Sequence, residues 1–408
     1  MVMGAVRIAL GCLSAAAGCG LAAAAGYLWL LAAASRLRRR PPPPAVEPRH
    51  RFLIVIPAHN EEAGLAACLS RLGDLDYPDH HWRALVVADN CTDATAEVAR
   101  TCGAEVMTRV DPERVGKGYA LAHATRSLDD SIDAVLVLDA DARPDRGLLR
   151  ALDARLSAGQ EAIQVRNVST AVSGQPVSYL LSVESLLEND WFYRGKEQLG
   201  TPALLRGNGI CLSREVLRRV PWEAYGLAED VEYSARAMQV GIHPHYAAEA
   251  EVASAAPATW QQLAHQRGRW TAGHWQIAVR HSPWFIAAGL ARRDWRLIDF
   301  GLGLMATSKS TLLASSVAAF AMARWLAWPG AMRTIGLSAA GAAMAGLSGY
   351  GLLGIAASRP TWRQAGSLAW LLPLAAVRAV AGAAALLGIG RGRWARTPRG
   401  GTAADIDS

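Results

Sequence analysis

The stretch VLVLDADARP, residues 135–144, decides the fold, because an unbroken apolar run ends in two aspartates and a proline. Four consecutive apolar residues are typical of a strand that is buried on both faces of a sheet. Asp139 and Asp141 follow where such a strand leaves the core. Acidic residues and X-Pro steps are also ordinary at strand ends. The stretch alone therefore fits both a ligand site and a strand that has simply reached water.

Apolar runs of the same kind recur upstream and alternate with helix-type segments. RFLIVIP (51–57) precedes EEAGLAACLSRL, RALVVAD (83–89) precedes CTDATAEVARTC, and AEVMTRV (104–110) precedes GYALAHATRSL. This alternation predicts an α/β domain with a mostly parallel sheet that helices cover on both faces. Ligands bind beyond the carboxyl ends of parallel strands. The residues expected at that rim are His59 to Glu62, Asp89, Asp139 and Asp141.

Long apolar segments flank this domain. Residues 5–34 are long enough to cross a bilayer of about 30 Å. They run into an arginine cluster at 36–40 and not into a small-residue cleavage site, which favours an anchor over a cleaved signal peptide. The cluster favours the cytosolic side. Three further membrane spans are expected at 303–327, 335–357 and 367–390. Three C-terminal spans would place the tail outside the cell, whereas the arginines of the tail favour the cytosol, so the two lines of evidence conflict.

Composition argues against other classes of protein. The chain is 51% hydrophobic with a net charge of +7, but lysine occurs only at Lys117, Lys196 and Lys309. Its arginines are spread thinly or lie beside apolar runs, which argues against a nucleic-acid-binding face. The six cysteines form no CxxC pair, so a reducing compartment is expected. We therefore predict a multi-pass protein of the cell membrane whose catalytic domain is cytoplasmic.

The segment WQQLAHQRGRWTAGHWQIAVRH (260–281) predicts a helix that lies on the membrane surface. Trp260, Leu263, Trp270 and Ile277 are expected on one side of it. The whole chain then divides into six predicted parts: an anchor (1–35), a basic proline-rich linker (36–50), the α/β domain (51–258), amphipathic interfacial helices (259–297), two or three C-terminal spans (298–392) and a tail (393–408).

Several residues have side chains suited to binding a nucleotide. Asp139 and Asp141 could share a Mg²⁺-type ion, whose other ligands would be water and substrate phosphate. Asp89 ends a strand and could accept hydrogen bonds from a base or ribose, or merely be solvated beside a helix cap. Lys117 lies between two glycines before a helix, where its ammonium could meet a phosphate.

The later motifs each allow an ordinary reading as well. Asn208 is framed by glycines, which permit close approach to a ligand but also a plain tight turn. Asp230 precedes an amphipathic helix, and acidic residues in a first helical turn are favoured by the helix dipole alone. Arg269 could meet an anionic phosphate and Trp270 could stack on a sugar.

The order of these motifs is more specific than any one of them. IPAHNEE, VADNCTDAT, GKGYAL, DAD, GNG, AED and QxxRW, followed by apolar segments, resemble the membrane-bound inverting glycosyltransferases of family 2. That group includes the cellulose, hyaluronan and poly-N-acetylglucosamine synthases, and the resemblance covers roughly residues 52–275. It implies a GT-A-like nucleotide-binding domain with a mostly parallel sheet, plus transmembrane helices at both ends.

The resemblance also implies roles for individual residues. Asp139 and Asp141 would form a metal-binding DxD motif for Mg²⁺ or Mn²⁺, and Asp230 would be the catalytic base. The implied nucleotide-sugar contacts are Glu61, Asp89, Lys117, Asp139, Gln266 and Arg269, and the implied acceptor contact is Trp270. Ala228 stands where the family often has threonine. The C-terminal bundle is short, so the resemblance does not extend to processive polymerisation.

The predicted function is transfer of a sugar, with inversion, from a nucleotide-sugar to a glycan or lipid-linked acceptor, as in polysaccharide biosynthesis. A UDP-sugar is the favoured donor. One alternative is non-processive transfer of a single sugar to a membrane lipid. An inert glycosyltransferase-like scaffold would be expected to lack the acids of DAD or AED, and a membrane nucleotidyltransferase gives no reason for Asp230 followed by QxxRW. Whether a partner subunit completes an export path stays open.

Overall fold

Eight strands form one sheet at the centre of the α/β domain. The computed structural model describes residues 2–37, 44, 47–126, 128–257, 259–305, 309–325, 330–371, 373–377 and 380, without the side chains of 2–8, 261, 265, 269 and 363. The strands are β1 Phe52–Ala58, β2 Trp82–Asp89, β3 Glu105–Arg109, β4 Ala134–Val137, β5 Arg143–Pro144, β6 Ala162–Thr170, β7 Ile210–Ser213 and β8 His245–Ala255. Their order across the sheet is β3-β2-β1-β4-β7-β6-β8-β5.

The sheet is mixed, which corrects the prediction of a mostly parallel one. Strands β3, β2, β1 and β4 are mutually parallel, as the strand-helix alternation predicted. In the other half, β7 runs antiparallel to both β4 and β6, and β5 runs antiparallel to β8. Only the β6–β8 pair is parallel there. The sequence of this half lacks regular alternation, because a long helical excursion separates β6 from β7.

The helices occupy both faces of the sheet and both ends of the chain. They are α1 Val2–Ala34, α2 Glu62–Leu72, α3 Thr95–Thr101, α4 Lys117–Thr125, α5 Leu148–Ser157, α6 Pro176–Leu186, α7 Arg194–Leu199, α8 Arg214–Arg219, α9 Glu229–Gln239, α10 Trp260–Arg292, α11 Trp295–Met305, α12 Lys309–Trp325, α13 Gly330–Ala357 and α14 Trp362–Ala365. A π-helical segment, Leu187–Tyr193, joins α6 to α7.

Alternate residues of β1 belong to two separate cores. Ile54 and Ile56 are buried with residues of α2 and α5 on one face of the sheet. Leu53 and Val55 are buried with residues of α4 and α9 on the other. Successive side chains of a strand point to opposite faces, so a continuous apolar run is what a sheet covered on both sides requires. The predicted two-sided covering is confirmed.

Two described helices are long and apolar enough to cross a membrane, within 9–34 and 330–357. Length and composition alone also fit a buried core helix or a signal sequence. The span predicted at 303–327 corresponds to the end of α11 and to α12, which has 17 residues. The span predicted at 367–390 begins in a 3₁₀ turn, and from residue 381 onward it lies outside the described part of the chain, as do the tail arginines. Arg38, Arg39 and Arg40 are also outside it.

Helix α1 is docked onto the α/β domain. A Cβ added at Gly195 in α7 would lie 2.2 Å from the carbonyl oxygen of Leu31, so the two backbones are in direct contact. Asp299 in α11 accepts hydrogen bonds from the Tyr27 hydroxyl and, at 2.5 Å, from Lys196 Nζ. This buried polar network joins α1, α7 and α11.

Helix α10 continues from residue 260 to 292 through Pro283, beyond the predicted 260–281. Leu263 and Ile277 are buried, but Trp270 is 44% exposed. The side of the helix on which these residues were predicted to lie is therefore covered unevenly along its length. Leu263 packs into a cluster formed with α6, whereas Ile277 packs into another formed with α9 and α11. Trp270 lies in the interval that neither cluster covers.

Candidate active site

The register between β4 and β7 brings DAD and GNG together. Val137 pairs with Ile210 across this antiparallel ladder. The residues just beyond the pair therefore face each other. Asp139 donates its backbone N–H to Asn208 Oδ1 at 3.1 Å. Asn208 is buried, and its Nδ2 has no hydrogen-bond partner among the described residues. The asparagine that the glycines frame thus holds the main chain of the DAD motif in place.

The side chain of Lys117, the first residue of α4, extends to Asp139 of the DAD motif. Its Nζ lies 2.5 Å from Asp139 Oδ1 and 2.5 Å from the Gly207 carbonyl oxygen. Burial opposes the ammonium charge, but the carboxylates of Asp139, Glu229 and Asp230 outweigh it, so the pKa of Lys117 is raised. An ammonium that stays charged and lies beside the DAD motif is suited to a diphosphate.

Asp230 also lies beside Gly207. A Cβ built on Gly207 would be 3.6 Å from Asp230 Oδ2 and 3.9 Å from Lys117 Nζ. Asp230 Oδ1 accepts a hydrogen bond from the Val231 N–H at 2.8 Å in the first turn of α9. One carboxylate oxygen therefore serves the helix terminus while the other points toward the site. Asp230 thus lies close to Lys117, which bonds Asp139, and its role as catalytic base stays a prediction.

Asp89 ends β2 and is buried, but it is not free. Arg109, at the end of β3, donates from Nη1 to Asp89 Oδ1 at 2.6 Å and from Nη2 to Asp111 Oδ2 at 2.9 Å. The His59 ring bonds the Asp89 carbonyl oxygen at 2.8 Å. Glu61 is buried nearby, and its backbone N–H donates to Thr95 Oγ1. A guanidinium thus orients the carboxylate that was predicted to contact the nucleoside.

The carboxylates of the DAD motif fit a divalent cation as partial ligands. Asp139 has 37% of its side chain exposed, and Asp141 is half-buried two residues later. No group of three or more His, Cys, Asp or Glu side chains in the described residues is placed to hold a metal. Two carboxylates with a diphosphate are a suitable ligand set for Mg²⁺ or Mn²⁺, which prefer oxygen.

Helix α10 lies against the start of α9. A Cβ added at Gly273 would lie 2.9 Å from the Ala228 backbone nitrogen, directly before the two acids of AED. One turn earlier, Trp270 carries the Arg267 guanidinium over its ring at 5.5 Å. Gln266 is half-buried. The side chain of Arg269 is outside the described part, so its predicted contact with the nucleotide-sugar stays a prediction, as do those of Gln266 and Trp270.

The sequence did not single out a second set of charged residues near Asp230. Arg206, directly before GNG, bonds Asn189 Oδ1 at 3.0 Å and lies 3.4 Å from Glu188. Burial opposes its charge, but Tyr193, Glu188 and Asp230 among others raise the pKa of Arg206. His274 of α10 is also close to Asp230, and burial lowers its pKa. In the sequence, the position of Arg206 directly before GNG is the one feature that could have identified it as a site residue.

Comparison with known proteins gives the family. The model of the glycosyltransferase-like family 2 matches residues 48–273, more than half of the chain. This chain therefore belongs to glycosyltransferase-like family 2, a family of enzymes, as the order of its motifs indicated. The finer resemblance to cellulose and hyaluronan synthases stays a prediction.

Individual relatives are more distant. A probable glycosyltransferase, YdaM of Bacillus subtilis, is 24% identical over 234 residues, which cover 56% of each chain. The β-monoglucosyldiacylglycerol synthase of Synechocystis is 27% identical over 250 residues, 58% of this chain and 50% of that one. The chain thus spans about half the length of the curated relatives it matches.

A solved structure supports the fold. The mannosyltransferase PcManGT from Pyrobaculum calidifontis, in complex with GDP-Man and Mn²⁺, superposes with a TM-score of 0.55 at 20% identity. The match covers 92% of this chain and 99% of that one. The predicted GT-A-like α/β fold is confirmed, with the mixed sheet described above.

Proposed function

We propose that this chain is a membrane-anchored inverting glycosyltransferase that moves a sugar from a nucleotide-sugar, with a UDP-sugar favoured, to a hydroxyl of a glycan or lipid-linked acceptor. The observation that carries the proposal is the convergence of Lys117, Asp139 and Asp230 around Gly207. A diphosphate needs cationic partners, and an acceptor hydroxyl needs a base. Both are available within one small space.

The reaction needs one displacement. Asp230 takes the proton of the acceptor hydroxyl while that oxygen attacks the anomeric carbon of the donor, and the bond from this carbon to the diphosphate breaks on the opposite face. Lys117 stabilises the negative charge that develops on the leaving diphosphate. Asp89, which Arg109 orients, accepts hydrogen bonds from the nucleoside. Proton transfer and leaving-group stabilisation therefore come from different side chains.

Asp139 and Asp141 would hold the divalent cation. When bound, Mg²⁺ or Mn²⁺ neutralises part of the diphosphate charge and so helps the leaving group depart. A Mn²⁺ ion accompanies the nucleotide-sugar in the mannosyltransferase of similar fold. We propose that this chain likewise binds a divalent metal ion and a nucleotide-sugar.

A lipid acceptor is favoured over a soluble one. The Synechocystis relative is named for a monoglucosyl derivative of diacylglycerol. In this chain, helices long and apolar enough to cross a membrane, α1 and α13, pack against each other and beside the α/β domain. We propose that they anchor the enzyme in the cell membrane with its catalytic domain in the cytosol. The multi-pass arrangement and an export partner stay predictions.

Asp230→Asn tests the proposal. The purified chain in lipid is incubated with a panel of radiolabelled nucleotide-sugars, and the products are sized. The variant should transfer sugar about 100-fold more slowly, the scale of a lost general base, while UDP and metal binding persist. Glu232→Gln is the matched control, because Glu232 lies in the same first turn of α9, where it accepts a backbone hydrogen bond from Gly226. Equal, small effects of both substitutions would reduce Asp230 to a helix-terminal acid and contradict the proposal.

A further inference from the structure

The π-helical segment Leu187–Tyr193 separates two environments. Leu187 packs against α13, where a Cβ added at Gly354 would lie 2.6 Å from its side chain, and its carbonyl oxygen accepts a hydrogen bond from Tyr350 at 3.3 Å. Trp191 is buried with residues of α1 and α13. One side of the segment therefore lies against the apolar helices proposed to enter the membrane.

Polar residues of the same segment face the α/β domain. Asn189 is buried, and its Oδ1 accepts hydrogen bonds from Arg206 Nη2 at 3.0 Å and from the Tyr246 hydroxyl at 3.1 Å. Its Nδ2 donates to the Asn167 carbonyl oxygen at 2.8 Å. This amide is fully used by hydrogen bonds within the fold. Such π-helical turns are rare and are often found at functional sites.

Arg206 connects Glu188 to the catalytic pocket. Its Nη1 lies 3.4 Å from Glu188 Oε1, and its guanidinium stacks over the Tyr193 ring at 4.3 Å. The next residue along the chain, Gly207, borders both Asp230 and Lys117. Glu188 and Arg206 therefore lie between the proposed base and the apolar helices, which is the side from which a membrane-bound acceptor would approach.

The charges here suit an uncharged acceptor. Glu188 has 30% of its side chain exposed, and the cations around it are Arg206, Arg267 and Lys309. Arg267 is already paired with Glu184 at 2.8 Å. Burial opposes ionisation of Glu188, but these cations outweigh it and lower its pKa. An ionised carboxylate accepts strong hydrogen bonds from hydroxyl groups, and the charges of Arg206 and Arg267 are already balanced by Glu188 and Glu184.

We infer that Glu188 and Arg206 form the acceptor subsite and that it takes the neutral, hydroxyl-bearing headgroup of a membrane lipid. This inference rests on the proposed function and adds the class of acceptor to it. Glu188 accepts a hydrogen bond from a headgroup hydroxyl, and Arg206 fixes the carboxylate. The reacting hydroxyl is thereby directed to Asp230. Glu188 is a specificity-determining residue and takes no proton in the reaction.

Glu188→Gln tests the inference with two readouts on the full chain in mixed micelles. One is the KM for monoglucosyldiacylglycerol, whose sugar headgroup offers further hydroxyls beside the reacting one, at saturating donor. The other is the rate of donor hydrolysis to water without any acceptor. Loss of a charge-assisted hydrogen bond should raise the KM about 10- to 100-fold, while hydrolysis stays within about twofold. Glu188→Asp keeps the charge and should give an intermediate KM. Glu223→Gln, an exposed acid paired with Arg236, should change neither readout.

Four outcomes would overturn the inference. The first is an unchanged KM in Glu188→Gln, and the second is a parallel loss of hydrolysis, since that would assign Glu188 to the donor site or to folding. The third is a wild-type chain that prefers a polyisoprenyl phosphate or a soluble oligosaccharide to monoglucosyldiacylglycerol, which would leave the proposed transferase function intact. The fourth is a wild-type chain that neither transfers nor hydrolyses any nucleotide-sugar, which would remove the proposed function as well.

Discussion

Replacing Lys117 with methionine should change nucleotide and metal binding in opposite directions. Lys117 Nζ lies 2.5 Å from Asp139 Oδ1 and is the ammonium nearest the proposed diphosphate site among the described residues. Without it the diphosphate loses a charged partner, and a hydrogen bond to a charged group contributes about 1.5–3 kcal/mol. In the free protein, Lys117 already forms hydrogen bonds to Asp139 and Gly207. The diphosphate of the donor replaces these bonds and does not add to them, so the lower value of this energy range applies. UDP should therefore bind about 10-fold more weakly in Lys117→Met.

Binding of Mn²⁺ alone should become several-fold tighter in the same variant, because a positive charge next to Asp139 has been removed. Titration calorimetry measures both constants, first for Mn²⁺ and then for UDP in its presence. Arg83→Met is the control, since Arg83 forms exposed pairs with Glu105 and Asp129 on the same domain. UDP affinity within twofold of wild type, or weaker Mn²⁺ binding in Lys117→Met, would refute the assigned role of Lys117.

The raised pKa of Lys117 also determines how the free energy of unfolding depends on pH. Its folded pKa lies above the unfolded value of about 10.4. The pairing with Asp139 therefore contributes stability that is fully present below that value and is lost as the pH rises through the folded pKa. Between about pH 6 and 9 the difference in unfolding free energy between wild type and Lys117→Met should stay constant, as measured by urea titration.

Two further predictions concern the metal and the orientation in the membrane. Asp139→Asn and Asp141→Asn should each abolish transfer that depends on Mg²⁺ or Mn²⁺, because carboxylate oxygens are the expected ligands; full turnover of the wild type in excess EDTA would contradict this. The exposed thiol of Cys102 at the end of α3 should resist an impermeant maleimide on intact cells and react after lysis, with Cys102→Ser as the blank. Labelling of Cys102 before lysis would put the α/β domain outside the cytosol.

The parts of the fold that sequence predicted are those with local periodicity. Strands β1, β2 and β4 each contain a continuous apolar run, and the helices α2, α3 and α4 begin at or near the polar residues that follow the preceding strands. The rim position of Asp139 followed from that alternation, whereas the contact of Lys117 with Asp139 was known only from the structure. Ser213 caps α8 by accepting a hydrogen bond from the Val216 N–H, which is a local interaction that a serine directly before a helix favours.

The parts that sequence did not predict depend on contacts between distant segments. Arg109 binds Asp89 because the register of β2 with β3 pairs these two residues, and no local pattern encodes that register. Arg206 meets Glu188 only because the loop before β7 lies on the π-helical segment. Trp270 has the spacing of a buried residue, yet two separate clusters leave it uncovered. Periodicity predicts which face of an element is apolar, and tertiary packing decides what covers it.

The docking of α1 also constrains the order in which the molecule can be assembled during synthesis. Tyr27 leaves the ribosome 272 residues before Asp299, its hydrogen-bond partner, which corresponds to roughly 15 to 55 seconds of translation. Until Asp299 is made, the hydroxyl of Tyr27 lacks this partner and Lys196 lacks its counter-ion. The contact between Gly195 and Leu31 can form earlier, so α1 can meet α7 before it meets α11 and α13. One of the first helices to be made is thus among the last to be completed.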